Sequence, residues 1–312
     1  MTAVDDAATT SRTDARRRAG DAPGKATRTD DVAAPSVQRQ AAARPTAWAT
    51  FIGNATLLIR YGELTILTDP NFVHHGADVA MGYGLTATRV TDPALDAEEV
   101  PQPDVVVLSH HHGDHFDAVA EDWLGRGVPI ITTPAATRQL EEAGFGDVRP
   151  LASWESAQVS HGEDHLRVTA LPAQHGTGVM AAAMPDTMGS LLELWRGPME
   201  RPDDVAPLRI YISGDTILHD GLDEIPARFP QIDVAFLHLG GNRVLGSLVS
   251  MDAVQGVELI ERLRPRVAVP VHYNDYGTAQ STLAEFVAAA NEAGLQDRVV
   301  YLRHGESLPL AR

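Results

Sequence analysis

Six consecutive residues, His110-His111-His112-Gly113-Asp114-His115, put four histidines and a carboxylate into one short segment. Imidazole nitrogens and carboxylate oxygens are the donors that zinc-type ions and their first-row neighbours accept. In an extended or turning segment, side chains two apart point the same way. His110 and His112 can therefore grip one ion while Asp114 and His115 turn toward a second. A catalytic ion of this kind takes about four ligands and keeps one position open to water, so the hexapeptide cannot complete even one site. Three further candidates follow, each after or near an expected strand: His175 in PAQHG, Asp215 in SGDT and His272 in PVHYND. A carboxylate can bridge two cations, which singles out Asp215.

Each piece has an ordinary reading when taken alone. A histidine-rich loop can be a solvated turn with adventitious metal affinity. Lone histidines are more often satisfied structural residues than ligands, and Gly-Asp turns are common. The weight lies in the joint pattern, a six-residue ligand motif followed by His, Asp and His at successive strand ends.

The elements that must present these residues are legible. AWATFI, ATLLIRY and ELTILTD are short β-rich runs separated by Gly53-Asn54 and Gly62, a strand meander. Residues 70–103 hold several Pro and Gly with little periodicity, a long loop of the kind that lies over a site. Val105 to Leu108 is a buried strand, and the histidine cluster begins where it stops, the position at which α/β folds commonly place their chemistry. FDAVAEDWLGRG reads as a helix ended by glycine, VPIITT as a strand, and Pro134 opens a helix through Ala143. LRVTALPA, SLLELW, LRIYIS, DVAFLHL, VAVPV and VVYLRH are further strands. Ser250 is the expected N-cap of a helix to about Leu263, and a last helix runs from Leu283 to Ala293. The pattern suggests two β-α halves packed sheet on sheet with helices outside.

Composition sets limits on function. The chain has 312 residues, 44% of them hydrophobic, enough for a sizeable core. A net charge of −17 argues against non-specific nucleic-acid binding, which draws its affinity from Lys and Arg. Residues 1–46 carry 8 basic against 6 acidic side chains, leaving 17 against 36 for the rest, so the acidity belongs to the body. There is no cysteine, hence no disulfide, thiol nucleophile or thiolate ligand. The first 45 residues lack Leu, Ile, Phe, Trp and Tyr and are expected to form a disordered tail, with one domain over 46–312. Arg16-Arg17-Arg18 is not followed by the apolar stretch of an export signal, and no run approaches a membrane span. The expectation is a cytoplasmic protein with no integral membrane segment and no nucleic-acid partner. Nothing in the chain decides its oligomeric state.

The order HHHGDH (110–115), His175, Asp215, His272 resembles the metallo-β-lactamase superfamily. TFIGNATLLIRYGELTILTDP (50–70) is similar to the opening of its broad hydrolase branch, which includes ascorbate-6-phosphate lactonase-like and N-acyl-phosphatidylethanolamine phospholipase D-like proteins. The resemblance covers about 47–312. It implies an α/β fold, the four-layer αββα sandwich, with the site on one edge between the sheets. It further implies that His110, His112 and His175 hold one metal and Asp114, His115 and His272 the other, with Asp215 bridging. Asp69, in LTDP, matches a family aspartate that supports the ligand loop from behind. One departure stands out: relatives in this branch usually carry His where this chain has Asn54, which bears on substrate contacts near that turn.

Two such ions lower the pKa of a shared water toward about 7 and polarise the electrophile, so no side-chain nucleophile is needed. The Gly-x-Ser-x-Gly pattern of α/β-hydrolases is absent. The expected activity is a dinuclear metal-dependent hydrolase using a metal-bound hydroxide on a phosphodiester or lactone-like ester of a small molecule or lipid. Asp114 and Asp215 would take part directly. Zinc is the first choice of metal, with manganese or iron also suited to all-His and carboxylate ligation. The alternatives are a redox di-iron protein of the same fold, which would need a flavin partner, or a non-enzymatic metal-binding protein. Arg89 and Arg243 are available as cationic substrate contacts, while AVPVHY and residues 76–87 could supply an apolar surface. His238, at a strand end, is balanced between the site edge and a structural role. Tyr273 and Asn274 are candidate substrate contacts, with packing the other reading for Tyr273; His111 is expected to point away, and His74 and His75 to be solvent-exposed rather than to line the pocket entrance.

Overall fold

The computed structural model describes residues 47–82, 84–201 and 206–311. The first half contains β1 (Ala47–Gly53), β2 (Thr56–Tyr61), β3 (Leu64–Thr68), β4 (Asp78–Ala80), β5 (Thr86–Thr88), β6 (Val105–Val107), α1 (Ala118–Trp123), β7 (Ile130–Thr132), α2 (Pro134–Glu142) and β8 (Val148–Pro150). The second contains β9 (Ser156–His161), β10 (Asp164–Leu171), α3 (Gly178–Ala183), β11 (Gly189–Arg196), β12 (Leu208–Ile212), α4 (Glu224–Arg228), β13 (Val234–His238), β14 (Arg243–Val244), β15 (Ser247–Leu248), α5 (Ala253–Leu263), β16 (Val267–Val271), α6 (Leu283–Glu292) and β17 (Ser307–Pro309). One sheet has the order β17-β1-β2-β3-β6-β7-β8 and the other β16-β13-β12-β11-β10-β9.

The layers follow from where each strand sends its apolar side chains. Phe51, Ile59, Ile66 and Val107 of the first sheet meet Val168, Leu192, Ile210 and Phe236 of the second in one buried cluster. Val106, Leu108 and Ile130 face the other way, against Ala136 and Leu140 of α2. On the far side, Tyr211, Ala235 and Leu237 pack against Val257 and Ile260 of α5 and Phe286 of α6. Strands buried on both faces read as continuous apolar runs, and two sheets between two helical layers make the expected four-layer sandwich.

Strand direction decides where the chemistry goes. β3, β6 and β7 are parallel, as are β12, β13 and β16. β10 is antiparallel to β11, itself antiparallel to β12, so β10 ends on the same edge as β12. The carboxyl ends of β6, β10, β12, β13 and β16 therefore lead into residues 109–115, His175, Asp215, His238 and His272 along one rim of the sandwich.

Four sequence expectations need correction. The stretch 70–103 is not featureless: β4 and β5 pair as a hairpin within it. The first helix ends at Trp123 rather than at a glycine, its cap residue being Leu124. Helix α5 is capped by Asp252, whose Oδ1 accepts from Gln255 N at 3.0 Å. Ser250 instead donates its hydroxyl to Leu239 O and accepts from Asn242 N, because it is spent on tying the segment after β13. VVYLRH forms only a single bridge from Val299 to Ala268. His304 packs edge-on to Phe51 and lies 3.3 Å from Asp275, which draws the chain across to the first sheet, where β17 pairs with β1. The expected tail, 1–45, lies outside the described residues.

Candidate metal centre

The candidate ligand loop, 109–115, is set by a carboxylate behind it. Asp69, just past β3 in a left-handed conformation (φ 38°), donates its own N–H to Val107 O and accepts from Ser109 N at 2.7 Å through Oδ1. Its Oδ2 lies 3.5 Å from His115 Nδ1. The expected support from Asp69 is thus present at both ends of the loop. Gly113 is required in the middle, because a Cβ there would sit 2.7 Å from Ala80 O. That close approach lets Gly113 N bond Ala80 O and seats the β4–β5 hairpin against the loop. Gly214 makes the tight turn that delivers Asp215: at φ +61° an added Cβ would lie 2.4 Å from Met188 O.

All seven expected ligands are buried. Donor atoms of His110, His112 and His175 lie within 4.8 Å of one another, as do those of Asp114, His115 and His272. Those of His110, His115 and Asp215 do the same, which puts Asp215 in reach of both sets. His110 Nε2 is 3.0 Å from His112 Nδ1, His272 Nε2 is 3.3 Å from Asp114 Oδ2, and His115 Nε2 is 3.7 Å from Asp114 Oδ2 and 3.6 Å from Asp215 Oδ1. Metal bonds of about 2.0–2.1 Å in a tetrahedron separate the donors by about 3.3–3.4 Å, so the spacing fits a cation in each set. Among the described residues, Asp114 Oδ1 and His115 Nε2 have no hydrogen-bond partner despite burial, a costly state unless something else satisfies them.

Three of the remaining ring nitrogens are tied down. His175 Nδ1 meets Val249 O at 2.6 Å, His272 Nδ1 meets Leu239 O at 3.3 Å, and His110 Nδ1 meets Ser109 Oγ at 3.0 Å. A carbonyl accepts only, so in His175 the proton sits on Nδ1 and Nε2 is left as a lone pair. His272 faces an acceptor at each nitrogen, Leu239 O and Asp114 Oδ2, so Nε2 would give up its proton to a bound cation. Charge is arranged to match. Burial pushes the pKa values of His110, His112 and His175 down, His112 to about 4, so these rings are neutral donors. Burial opposes ionisation of His115 and His272 too, but the Asp114 and Asp215 carboxylates override it and hold both above the ordinary histidine value. Burial would likewise raise Asp114 and Asp215; His115 and His272 pull both down instead, Asp114 to about 2.

Asn54 turns out to be a brace between the two ligand segments. It sits in a left-handed turn (φ 49°), donates Nδ2–H to Asp114 O at 2.7 Å, and accepts from His272 N at 2.9 Å through its carbonyl. His272 itself is held at φ 63°, a backbone state that a non-glycine residue keeps only when its surroundings enforce it.

Several other expectations are decided by placement. Arg89 is not a substrate contact: it is fully buried, bonding Asn71 O and Asn71 Oδ1 and pairing with Asp275 at 3.4 Å. Arg243 is exposed and donates to Gly246 O. Tyr273 packs among the α5 and α6 side chains, and Asn274 is exposed. His111 turns away to Phe116, while His74 is exposed beside Asp92 and Asp96. His238 is wholly buried, its Nδ1 3.4 Å from Asp215 Oδ1. Asn71 and Asp117 were not singled out from sequence. Asn71 donates to Gly113 O, and Asp117 caps α1 while accepting from Phe72 N and Val73 N. Their only sequence signal is position, directly after LTDP and two residues after the histidine cluster.

The family model described as the beta-lactamase superfamily domain matches residues 65–273. The chain belongs to this family. It is a metal-dependent hydrolase of the metallo-β-lactamase superfamily. It is similar to a UPF0173 metal-dependent hydrolase of Pelotomaculum thermopropionicum, 29% identical over 268 residues, covering 84% of this chain and 99% of that protein. It is 32% identical over 131 residues to the mitochondrial N-acyl-phosphatidylethanolamine-hydrolyzing phospholipase D of Saccharomyces cerevisiae, across 41% of this chain and 27% of that protein. Among solved structures, the isothiocyanate hydrolase from Delia radicum gut bacteria shares the fold, with a TM-score of 0.68, 22% identity, and coverage of 84% of this chain and 98% of that one. Among the described residues of this superfamily hydrolase, no helix is long and apolar enough to cross a membrane.

Proposed function

We propose that the centre is dinuclear, with His110, His112 and His175 holding one divalent ion, Asp114, His115 and His272 the other, and Asp215 reaching both. The observation that carries the reading is the convergence of seven buried His and Asp side chains in overlapping sets, with Asp215 in reach of both and Asp114 Oδ1 and His115 Nε2 left without partners among the described residues. When bound, two such ions supply a water of pKa near 7 and polarise the ester under attack. The protein's own part is orientation. Asp114 Oδ1, which has no hydrogen-bond partner among the described residues, is available to accept a hydrogen bond from a water held there. Asn54 ties the Asp114 and His272 segments together, while Asp69 holds the 109–115 loop from behind. Zinc is the first choice, and manganese or iron also suits this donor set.

We take a phosphodiester of a small molecule or lipid as the first substrate class, and a lactone-like ester as the second. The similarity to a phospholipase D supports that order. A sugar-phosphate lactone would call for a cation close to the metals, and Arg89, the one buried arginine among the described residues, is engaged by Asp275 and Asn71. The test is hydrolysis of bis(p-nitrophenyl) phosphate by zinc- and manganese-loaded protein, beside Asp215→Asn with its metal content assayed. Turnover that disappears in the variant supports the phosphodiesterase. No turnover with metal bound moves the reading to esters and lactones, and no bound metal refutes it.

A further inference from the structure

β13 lies between the two strands that carry late ligands: β12 leads to Asp215 on one side and β16 to His272 on the other. The residue at the end of this middle strand is His238, and it is fixed twice. Its backbone N–H bonds Ser213 Oγ at 2.8 Å, and its side chain fills the space between the two neighbouring ligands with no solvent exposure. The ring lies nearly parallel to that of His272, 5.5 Å away at 15°, and stacks on that of His115, 5.7 Å away at 29°. Nδ1 is 3.4 Å from Asp215 Oδ1. One donor atom each of His238, His115 and Asp69 also lie within 4.8 Å of one another, and His115 turns Nδ1 toward Asp69 and Nε2 toward Asp114.

We propose that His238 is a positioning residue for the metal centre: its Nδ1–H restrains the Asp215 carboxylate, and its ring sets the planes of His115 and His272. This rests on the metal reading given above. A carboxylate that reaches two cations has several rotamers within range of them, and a buried donor at Oδ1 selects one. Partners of this kind change metal affinity by about 10–100-fold when removed. Packing alone would make a different demand, for an apolar ring of similar size and no donor.

Three full-length variants separate these demands. His238→Phe keeps ring, volume and stacking but has no donor. His238→Asn places an amide N–H near the position of Nδ1, and His238→Leu is nearly isosteric with Asn but lacks the donor. Each is stripped of metal, checked for cooperative unfolding by circular dichroism, and titrated with Co(II) while the visible ligand-field bands are followed. We expect Phe and Leu to bind the cobalt ion contacting Asp215 about 10–100-fold more weakly with altered bands, and Asn to return affinity and spectrum close to wild type. If Phe does not fold, the Asn and Leu pair still gives the comparison. Wild-type affinity and spectrum in Phe or Leu, or Asn weaker than Leu, would overturn the proposal. Loss of one whole cobalt ion in all three variants would make His238 a ligand, which also overturns it. Failure of the wild-type protein itself to take up cobalt would instead overturn the metal reading.

Discussion

Replacing Arg89 by methionine keeps most of the side-chain volume and removes a guanidinium that has no contact with water. Left behind are the Asn71 carbonyl and side-chain oxygens and the Asp275 carboxylate, all buried. Breaking a buried pair from one side costs about 3–5 kcal/mol. Here the lower end applies, because the ion pair is long at 3.4 Å and Asp275 keeps Thr91 Oγ1 at 2.5 Å and His304 at 3.3 Å. A loss of about 3 kcal/mol should lower Tm by about 6–12 °C in a domain of this size. Asn71 also holds Gly113 O and Tyr276 OH, so the ligand loop should loosen together with the fold. The assay is thermal unfolding followed by circular dichroism on wild type, Arg89→Met and Arg89→Met/Asp275→Leu. The double variant should recover more than half of the loss, because no charge is then stranded. A single variant that melts within about 2 °C of wild type yet has lost hydrolysis would refute this reasoning and return Arg89 to the role of substrate contact.

Gly214→Ala should cost about 1–3 kcal/mol in backbone strain, displace Asp215 and lower metal content as well as Tm; unchanged metal content would contradict the turn's assigned role. Arg196 holds the Asp164 carboxyl below its ordinary value, and His304 and Arg89 do the same for Asp275 against the opposing effect of burial. Both folded pKa values lie below the unfolded value of about 3.9, so their contribution is complete above about pH 5 and is lost as the pH falls through the folded values. The urea midpoint of chelator-treated protein should therefore drop between pH 5 and pH 3, less steeply in Asp164→Asn, and a midpoint that rises on acidification would contradict the sign. Deleting residues 1–45 should leave Tm and hydrolysis unchanged, while a large drop in Tm would show that the segment belongs to the fold.

The parts of the molecule that were legible in the sequence are those governed by local rules. Apolar runs of strand length gave the two sheets, Thr133-Pro134 marked the start of α2, and the histidine spacing marked the loop on which the candidate ligands converge. What escaped depends on tertiary geometry. Whether Arg89 faces a substrate or an internal carboxylate is decided by Asp275, 186 residues away. Asn54 reads as an ordinary turn residue until Asp114 and His272 are brought to either side of it. Ser250 and Asp252 are both acceptable N-caps, and the choice falls to Asp252 because Leu239 and Asn242 engage Ser250. His238 could not be placed because its function depends on β13 lying between β12 and β16, an order that no periodicity encodes.

The central claim is tested most directly by counting metal ions per chain, by elemental analysis, in wild type and in the single variants His175→Ala and His272→Ala after reloading and desalting. The account predicts two ions in wild type and about one in each variant, with hydrolysis lost in both. One ion or none in the wild type, or two retained in either variant, would contradict it.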